Sequence, residues 1–296
     1  MANSVEDVAL LLSAVAGADA GDATCATSGA EDYAAALAPA EALSSKPLAG
    51  IRLGLVTETA SAGVQPGVAA ALRAFAAHAA SLGAEIVDVS LPSFGLGLPA
   101  YYVIAPAEAS SNLARYDGLR FGPQEARPTV SATMAATRGA LFGDEVKRRI
   151  LMGTYALSAG YYDAYYLRAQ RVRTLIRREM TAALAGCDAL LTPAAPTTSY
   201  ALGAKTADPL SMYVGDLTTV NVNLAGLPAI ALPWGLAPPP EAEAAGGAAA
   251  GVAGSLPVGV QLIGRDFGEA ALLRIAHGCE VTAPPLGAPP GYAGPA

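Results

Sequence analysis

Residues 51–91 constrain the fold more than any other stretch. Ile51-Arg-Leu-Gly-Leu-Val56 is a short apolar run of the kind a buried strand needs, and Ala84-Glu-Ile-Val-Asp-Val-Ser-Leu91 alternates with period two. Between them Pro66 opens a helix that runs to Ser81 and is closed by Gly83. Proline fits the first helical turn because its missing N–H has no partner there anyway, and glycine fits just past the last turn. Strand, helix and strand in this order require two parallel strands joined by a right-handed crossover. Three further strand-like runs, Ala189–Thr192, Ala229–Trp234 and Val258–Gly264, precede a last helix over Glu269–Cys279. The expectation is one α/β domain over residues 1–296, a mixed sheet with parallel βαβ units covered by helices.

The remaining segments fit around that sheet. Residues 4–16 read as a helix with Ser4 as N-cap, acidic Glu6 and Asp7 in the first turn, and Val8, Leu11, Leu12 and Val15 along one face. Residues 101–184 are helical in character. Two of their runs, Gly143–Gly160 and Tyr161–Leu184, are separated at Ser158-Ala-Gly160. In the second, Tyr162, Tyr165, Ala169, Val172, Ile176 and Met180 form an apolar stripe, while Arg168, Arg171, Arg177 and Arg178 mark a solvated face. The Tyr161–Tyr166 cluster reads as packing core, with a direct RNA contact as the lesser alternative. Residues 237–254 are low-complexity and lack large apolar anchors, which predicts a surface loop, and the Pro/Gly-rich tail 284–296 reads as equally loose.

Composition excludes several functions. A formal charge of −7 argues against indiscriminate phosphate binding. Three widely spaced cysteines, Cys25, Cys187 and Cys279, form no C-x-x-C pair, so neither a disulfide framework nor a zinc site is indicated, and a reducing compartment is expected. No window reaches the roughly 18 consecutive apolar residues of a membrane span. The opening Met1-Ala-Asn-Ser-Val-Glu-Asp lacks a basic, then apolar, secretory signal.

Nor do the standard catalytic signatures occur. The two histidines, His78 and His277, fall inside predicted helices rather than at strand ends, which favours structural roles. There is no G-x-S-x-G elbow, no P-loop and no G-x-G-x-x-G opening a helix after a strand. Ser44-Ser45-Lys46 superficially offers a Ser–Ser–Lys relay. Three consecutive loop residues cannot converge on one reacting atom as such a relay demands.

Two segments carry unusually specific wording. The first is Tyr101-Tyr-Val-Ile-Ala through Glu108-Ala-Ser-Ser-Asn to Gly118-Leu-Arg-Phe-Gly122, continuing as Gly143-Asp-Glu-Val-Lys-Arg-Arg-Ile150 and onward to Tyr166. The second comprises Leu191-Thr-Pro-Ala-Ala-Pro-Thr-Thr198, Asp208-Pro-Leu-Ser-Met-Tyr-Val-Gly-Asp216, Val222-Asn-Leu-Ala-Gly-Leu-Pro228 and Leu256-Pro-Val-Gly-Val-Gln-Leu-Ile-Gly264. Over nearly the whole chain, apart from 237–254 and the tail, this wording resembles the glutaminase subunits of glutamyl-tRNA(Gln) amidotransferases, within the amidase-signature family. Even Ser4-Val-Glu-Asp-Val-Ala-Leu-Leu-Leu resembles a segment from the middle of such a subunit.

The resemblance implies an amidase-signature fold, incomplete at its N-terminus, in which a Ser–cis-Ser–Lys triad lies upstream of Met1 and no catalytic residue falls within the 296. It further implies that glutamine is hydrolysed to ammonia, which passes to a partner subunit in a heterotrimer with B- and C-type subunits. ATP, Mg and tRNA then belong to the partner, and this chain needs no cofactor or metal of its own. The expected compartment is the cytosol or an organelle, mitochondrion or chloroplast. By resemblance Arg149 takes the glutamine α-carboxylate, Asp216 the α-ammonium, and Tyr101 lines the pocket. Physical chemistry agrees with that division, since a zwitterion needs one cation and one anion and the arginine fork matches a carboxylate bidentately. Arg148 and Lys147 read as solvated or interface charges. Two other readings stand beside this one, a non-catalytic scaffold that binds partner subunits and a general amidase for neutral amides.

Overall fold

The computed structural model describes residues 1–27, 31–60, 63–205, 212–240 and 255–284. It divides into two compact units, one formed by Met1–Gly95 with Arg177–Ala296 and one by Leu96–Ile176.

The first unit holds the sheet. Strands β1 (Arg52–Val56), β2 (Glu85–Val89), β3 (Ala189–Pro193), β4 (Ala229–Ala237) and β5 (Leu256–Ile263) lie in the order β2-β1-β3-β5-β4. β1 pairs in parallel with β2 and β3, and β5 pairs antiparallel with β3 and β4, so the expected mixed sheet is observed. Every residue of β3 is buried, as its central position requires. Pro233 sits in β4, which is an edge strand, and the pairing slips between Pro233 and Leu236, where Gly235 takes φ of 71°. A residue without an N–H is tolerated at such a bulged edge. At Gly54 in β1 an added Cβ would lie 2.8 Å from the Val89 side chain and 2.9 Å from that of Leu190, so any larger residue would have to displace the side chains packed there.

Helix α2 (Pro66–Ser81) makes the β1–β2 crossover, with Pro66 in its first turn and Gly83 beyond its end at φ of 99°. It buries Val68, Leu72, Phe75 and Ala79 against the sheet, where Phe75 meets the Trp234 ring edge-on at 5.0 Å. Helix α1 (Val5–Val15) begins at Ser4, whose Oγ accepts the Asp7 N–H at 3.0 Å. Its buried residues are Val5 and Ala9, while Leu11 and Val15 are 54% and 77% exposed, so the apolar face read from the sequence is rotated. Two carboxylate oxygens of Glu280 accept the Val5 N–H and so tie the start of α1 to the last helix. The last helix (Glu269–Val281) buries Leu272, Leu273, Ile275 and Ala276. It also buries His277, whose Nε2 lies 3.0 Å from the Ala38 carbonyl; His78 stacks on Trp234 at 4.8 Å.

The second unit is helical: α3 (Gly97–Asn112), α4 (Val130–Leu141), α5 (Asp144–Ala156) and the start of α6 (Arg168–Ala185), which is preceded by a π turn over Tyr162–Leu167. The tyrosine cluster is not core. Tyr161, Tyr162 and Tyr165 are 41%, 40% and 44% exposed, because the wider π turn swings them off the stripe that Ala169, Ile176 and Met180 keep buried. The rings of Tyr155, Tyr161 and Tyr165 stack on one another instead, with centroids 4.5–6.1 Å apart, and hydrogen bonding to Tyr161 above all pushes the Tyr155 hydroxyl up to about 12.

The expected loop 237–254 begins one residue late. Ala237 is a buried β4 residue paired with Leu256, and the Pro238 carbonyl is anchored. Residues 241–254 and the tail 285–296 lie outside the described residues. Among the described residues no helix is long and apolar enough to cross a membrane, and no group of three His, Cys, Asp or Glu could hold a metal ion.

Candidate functional site

Helices α3 and α5 bring two of the three expected ligand residues together. The helices meet where Gly153 of α5 faces the Pro106 carbonyl of α3, and the hydroxyls of Ser110 and Thr154 lie 3.0 Å apart beyond that point. Pro106 sits inside α3 and has no N–H to return to the preceding turn. One turn before Gly153, Arg149 stands on the side of α5 that meets α3, near enough to Tyr101 for the phenol to act on its guanidinium. Tyr101 is itself held edge-on by Tyr102 at 5.0 Å.

Arg149 has a second partner that the sequence reading missed. Its Nε donates to Oε1 of Glu145 at 2.9 Å, an i,i+4 pair on α5, and Oε2 of the same carboxylate bonds Arg148. Glu145 stands in the first turn of α5, where the helix dipole favours a carboxylate. Its hydrogen bond above all, with a smaller contribution from nearby Tyr101, holds the Arg149 guanidinium above its already high ordinary pKa, so the charge is permanent. The Arg149 side chain remains 31% exposed. Lys147 bonds Asp144 at 3.1 Å and the Gly139 carbonyl at 3.2 Å; like Arg148 it is paired within the helical unit. The spacing Glu145–Arg149 was the available signal, because residues four apart on a helix are neighbours.

Asp216 belongs to the first unit, at the end of a short 3-10 turn, Val214–Asp216, and is partly buried. What positions it is a buried polar network. The Gln261 side chain, on β5, donates to the Thr192 hydroxyl at 3.0 Å and to the Thr218 carbonyl at 3.3 Å. Thr218 donates to the Ala194 carbonyl at 3.2 Å, and Asn221 donates to Phe94 O at 3.2 Å. Thr192, Thr218 and Asn221 are essentially inaccessible. The turn bearing Asp216 is thus tied through Thr218 to the centre of the sheet. A threonine and a glutamine standing inside the apolar runs of β3 and β5, directly opposite in register, were the sequence signal for this.

Ser44, Ser45 and Lys46 are all exposed, and the Ser44 Oγ accepts the Lys46 N–H at 3.2 Å. The three thiols are unpaired by disulfide; Cys187 and Cys279 are buried and Cys25 is partly exposed.

The geometry therefore offers an arginine fork beside a phenol on two packed helices, and a carboxylate on a turn anchored to the sheet. The sequence profile of the Amidase family matches residues 1–273. A chloroplastic/mitochondrial A-type subunit of glutamyl-tRNA(Gln) amidotransferase from Zea mays is 50% identical over 280 residues, which cover 95% of this chain and 49% of the maize protein. The A-type subunit of glutamyl-tRNA(Gln) amidotransferase from an Azoarcus species is 51% identical over 275 residues, 93% of this chain and 53% of that protein. The crystal structure of the corresponding Thermotoga maritima subunit superposes with a TM-score of 0.66 at 33% identity, covering 95% of this chain and 51% of that one. The chain spans about half the length of the curated relatives it matches.

Proposed function

Because the chain belongs to the amidase family, we propose that it carries the glutamine-recognising part of the glutaminase subunit of a tRNA-dependent amidotransferase. The single observation behind this reading is the identity of about one residue in two, over 95% of the chain, to a plant subunit of that enzyme and, over 93%, to a bacterial one. In this reading Arg149 takes the α-carboxylate of glutamine, Tyr101 fixes the guanidinium and lines the seat, and Asp216 takes the α-ammonium. The carboxamide then points to a serine nucleophile that belongs to the Ser–cis-Ser–Lys apparatus and is assigned to residues outside these 296. Ammonia released there passes to a partner subunit, which holds ATP, Mg and glutamyl-tRNA(Gln). The compartment proposed is one that makes its own proteins, bacterial cytosol or organelle.

The scaffold alternative predicts that Arg149 is satisfied by Glu145 and binds nothing. A calorimetric titration of the purified chain with glutamine separates the two. Binding that weakens at least tenfold in Arg149→Lys, which keeps the charge but loses the planar fork, supports glutamine recognition. No binding by the wild type overturns it.

A further inference from the structure

We infer that Glu145 is a positioning residue for ligand recognition: it closes the Nε edge of Arg149, so that a ligand carboxylate is taken end-on by the two Nη groups. The inference rests on the glutamine reading and specifies how its central contact is made. A carboxylate can meet a guanidinium bidentately in two ways, along the edge formed by Nε and one Nη or across the two Nη groups. In this structure the first edge is already in use, since Nε–H points at Oε1 of Glu145 at 2.9 Å.

Glu145 is not a casual surface partner. Its other oxygen is engaged by Arg148 on the same helix, and its place in the first turn of α5 opposes the dipole end it prefers. Both held oxygens keep the carboxylate from rotating away. Tyr101 lies beside the guanidinium from the α3 side. With Nε–H committed to Glu145, the donors left for a carboxylate are those of the two Nη groups. An arginine side chain left to itself samples many rotamers, so a pre-set fork loses less freedom on binding.

The test combines nitrogen NMR with calorimetry on the full chain. The Arg149 Nε–H resonance, identified by its absence in Arg149→Lys, should be slowly exchanging in the wild type and in Glu145→Gln, whose amide oxygen still accepts, and rapidly exchanging in Glu145→Ala. Saturating glutamine should leave that resonance nearly in place while the Nη resonances move. Glutamine affinity should fall by about tenfold in Glu145→Ala and by much less in Glu145→Gln, with circular dichroism unchanged in both. A residue that only stabilised the helix would not separate the two variants in affinity. If glutamine displaces the Nε resonance as a side-on carboxylate would, or if Glu145→Ala binds like the wild type, the inference is overturned and the glutamine reading survives. If the wild type binds no glutamine, that reading fails and the inference falls with it.

Discussion

A Cβ placed on Gly153 would lie 2.0 Å from the carbonyl oxygen of Pro106, a contact no side chain can make. Helices α3 and α5 therefore approach at backbone distance, and the two ends of that contact, Tyr101 with Arg149 and Ser110 with Thr154, follow from it. The atom in the way is backbone, in a turn where a proline already stiffens the chain. Nothing nearby can give by rotating a side chain.

Gly153→Ala should accordingly destabilise the chain by about 2 kcal/mol or more, the upper part of the range for overpacked sites. Gly139, inside α4, faces open space, so Gly139→Ala should instead stabilise by roughly 0.5–1 kcal/mol through helix propensity. Urea denaturation of both variants checks the pair. Equal effects at the two glycines would mean that α3 and α5 do not pack as described.

A second prediction concerns the polar node at Gln65. Its Nε2 donates to the Pro238 carbonyl at 2.7 Å, and its Oε1 accepts from the N–H and hydroxyl of Thr198 at 3.0 and 3.2 Å. Gln65→Leu leaves a buried amide without an acceptor and should cost about 1–3 kcal/mol. Removing residues 241–253, whose low-complexity sequence carries no large apolar anchor, should by contrast change the denaturation midpoint little, because the cost of closing a chain segment grows only logarithmically with its length. A deletion that also takes Pro238 should behave like Gln65→Leu.

The sheet was legible because it needs only local signals. The periodicity of 84–91 and the Pro66–Gly83 punctuation located β2 and α2, and all three later strand runs appear in place. What escaped were features set by partners distant in sequence. Glu280, 275 residues away, accepts the first N–H of α1, and the helix buries Val5 and Ala9 while leaving Leu11 and Val15 exposed. The tyrosines of 161–166 were misplaced because the π turn breaks the 3.6-residue period on which the stripe was read. At the candidate site, Arg149 and Tyr101 were named through family wording. Glu145 was missed although it stands at helical spacing, because a charged pair on a helix usually stabilises the helix and nothing more.

Burial pushes the Cys279 thiol up to about 12, and it raises Cys187 as well. An acid whose folded pKa is raised favours folding fully below its unfolded value, near 8.5, and progressively less as pH rises toward the folded value. Stability should therefore fall with pH above 8.5, by up to about 1.4 kcal/mol per unit from Cys279 alone. Cys279→Ala should flatten the dependence of the urea midpoint between pH 9 and 11, with an unchanged profile counting against burial of this thiol. A thiol reagent at pH 8 should modify Cys25 in the native chain and the other two only after unfolding.

The purified chain should release no ammonia from glutamine. Ser44 and Ser45 are exposed, the Ser44 Oγ accepts the Lys46 N–H, and among the described residues neither hydroxyl donates to a base. Glutamine-dependent ammonia production that Ser44→Ala or Ser45→Ala abolishes would relocate the nucleophile into this loop and refute the assignment made above.

The remaining prediction crosses two variants with three ligands. Glutamine carries both α-groups, 4-carbamoylbutanoate lacks the ammonium, and 4-aminobutanamide lacks the carboxylate. Asp216→Asn preserves size but removes the counter-charge. It should weaken glutamine and 4-aminobutanamide while leaving 4-carbamoylbutanoate nearly as it was. Arg149→Lys should do the reverse, weakening glutamine and 4-carbamoylbutanoate but sparing 4-aminobutanamide. Each lost charge-assisted contact corresponds to roughly 1.5–3 kcal/mol, or about ten- to a hundredfold in affinity. The crossed pattern matters more than either magnitude, because a variant that merely loosens α5 or the Thr218 turn weakens all three ligands together. Uniform losses would therefore return Arg149 and Asp216 to structural roles. A loss confined to the ligand bearing the matching charge fixes which end of glutamine each residue holds.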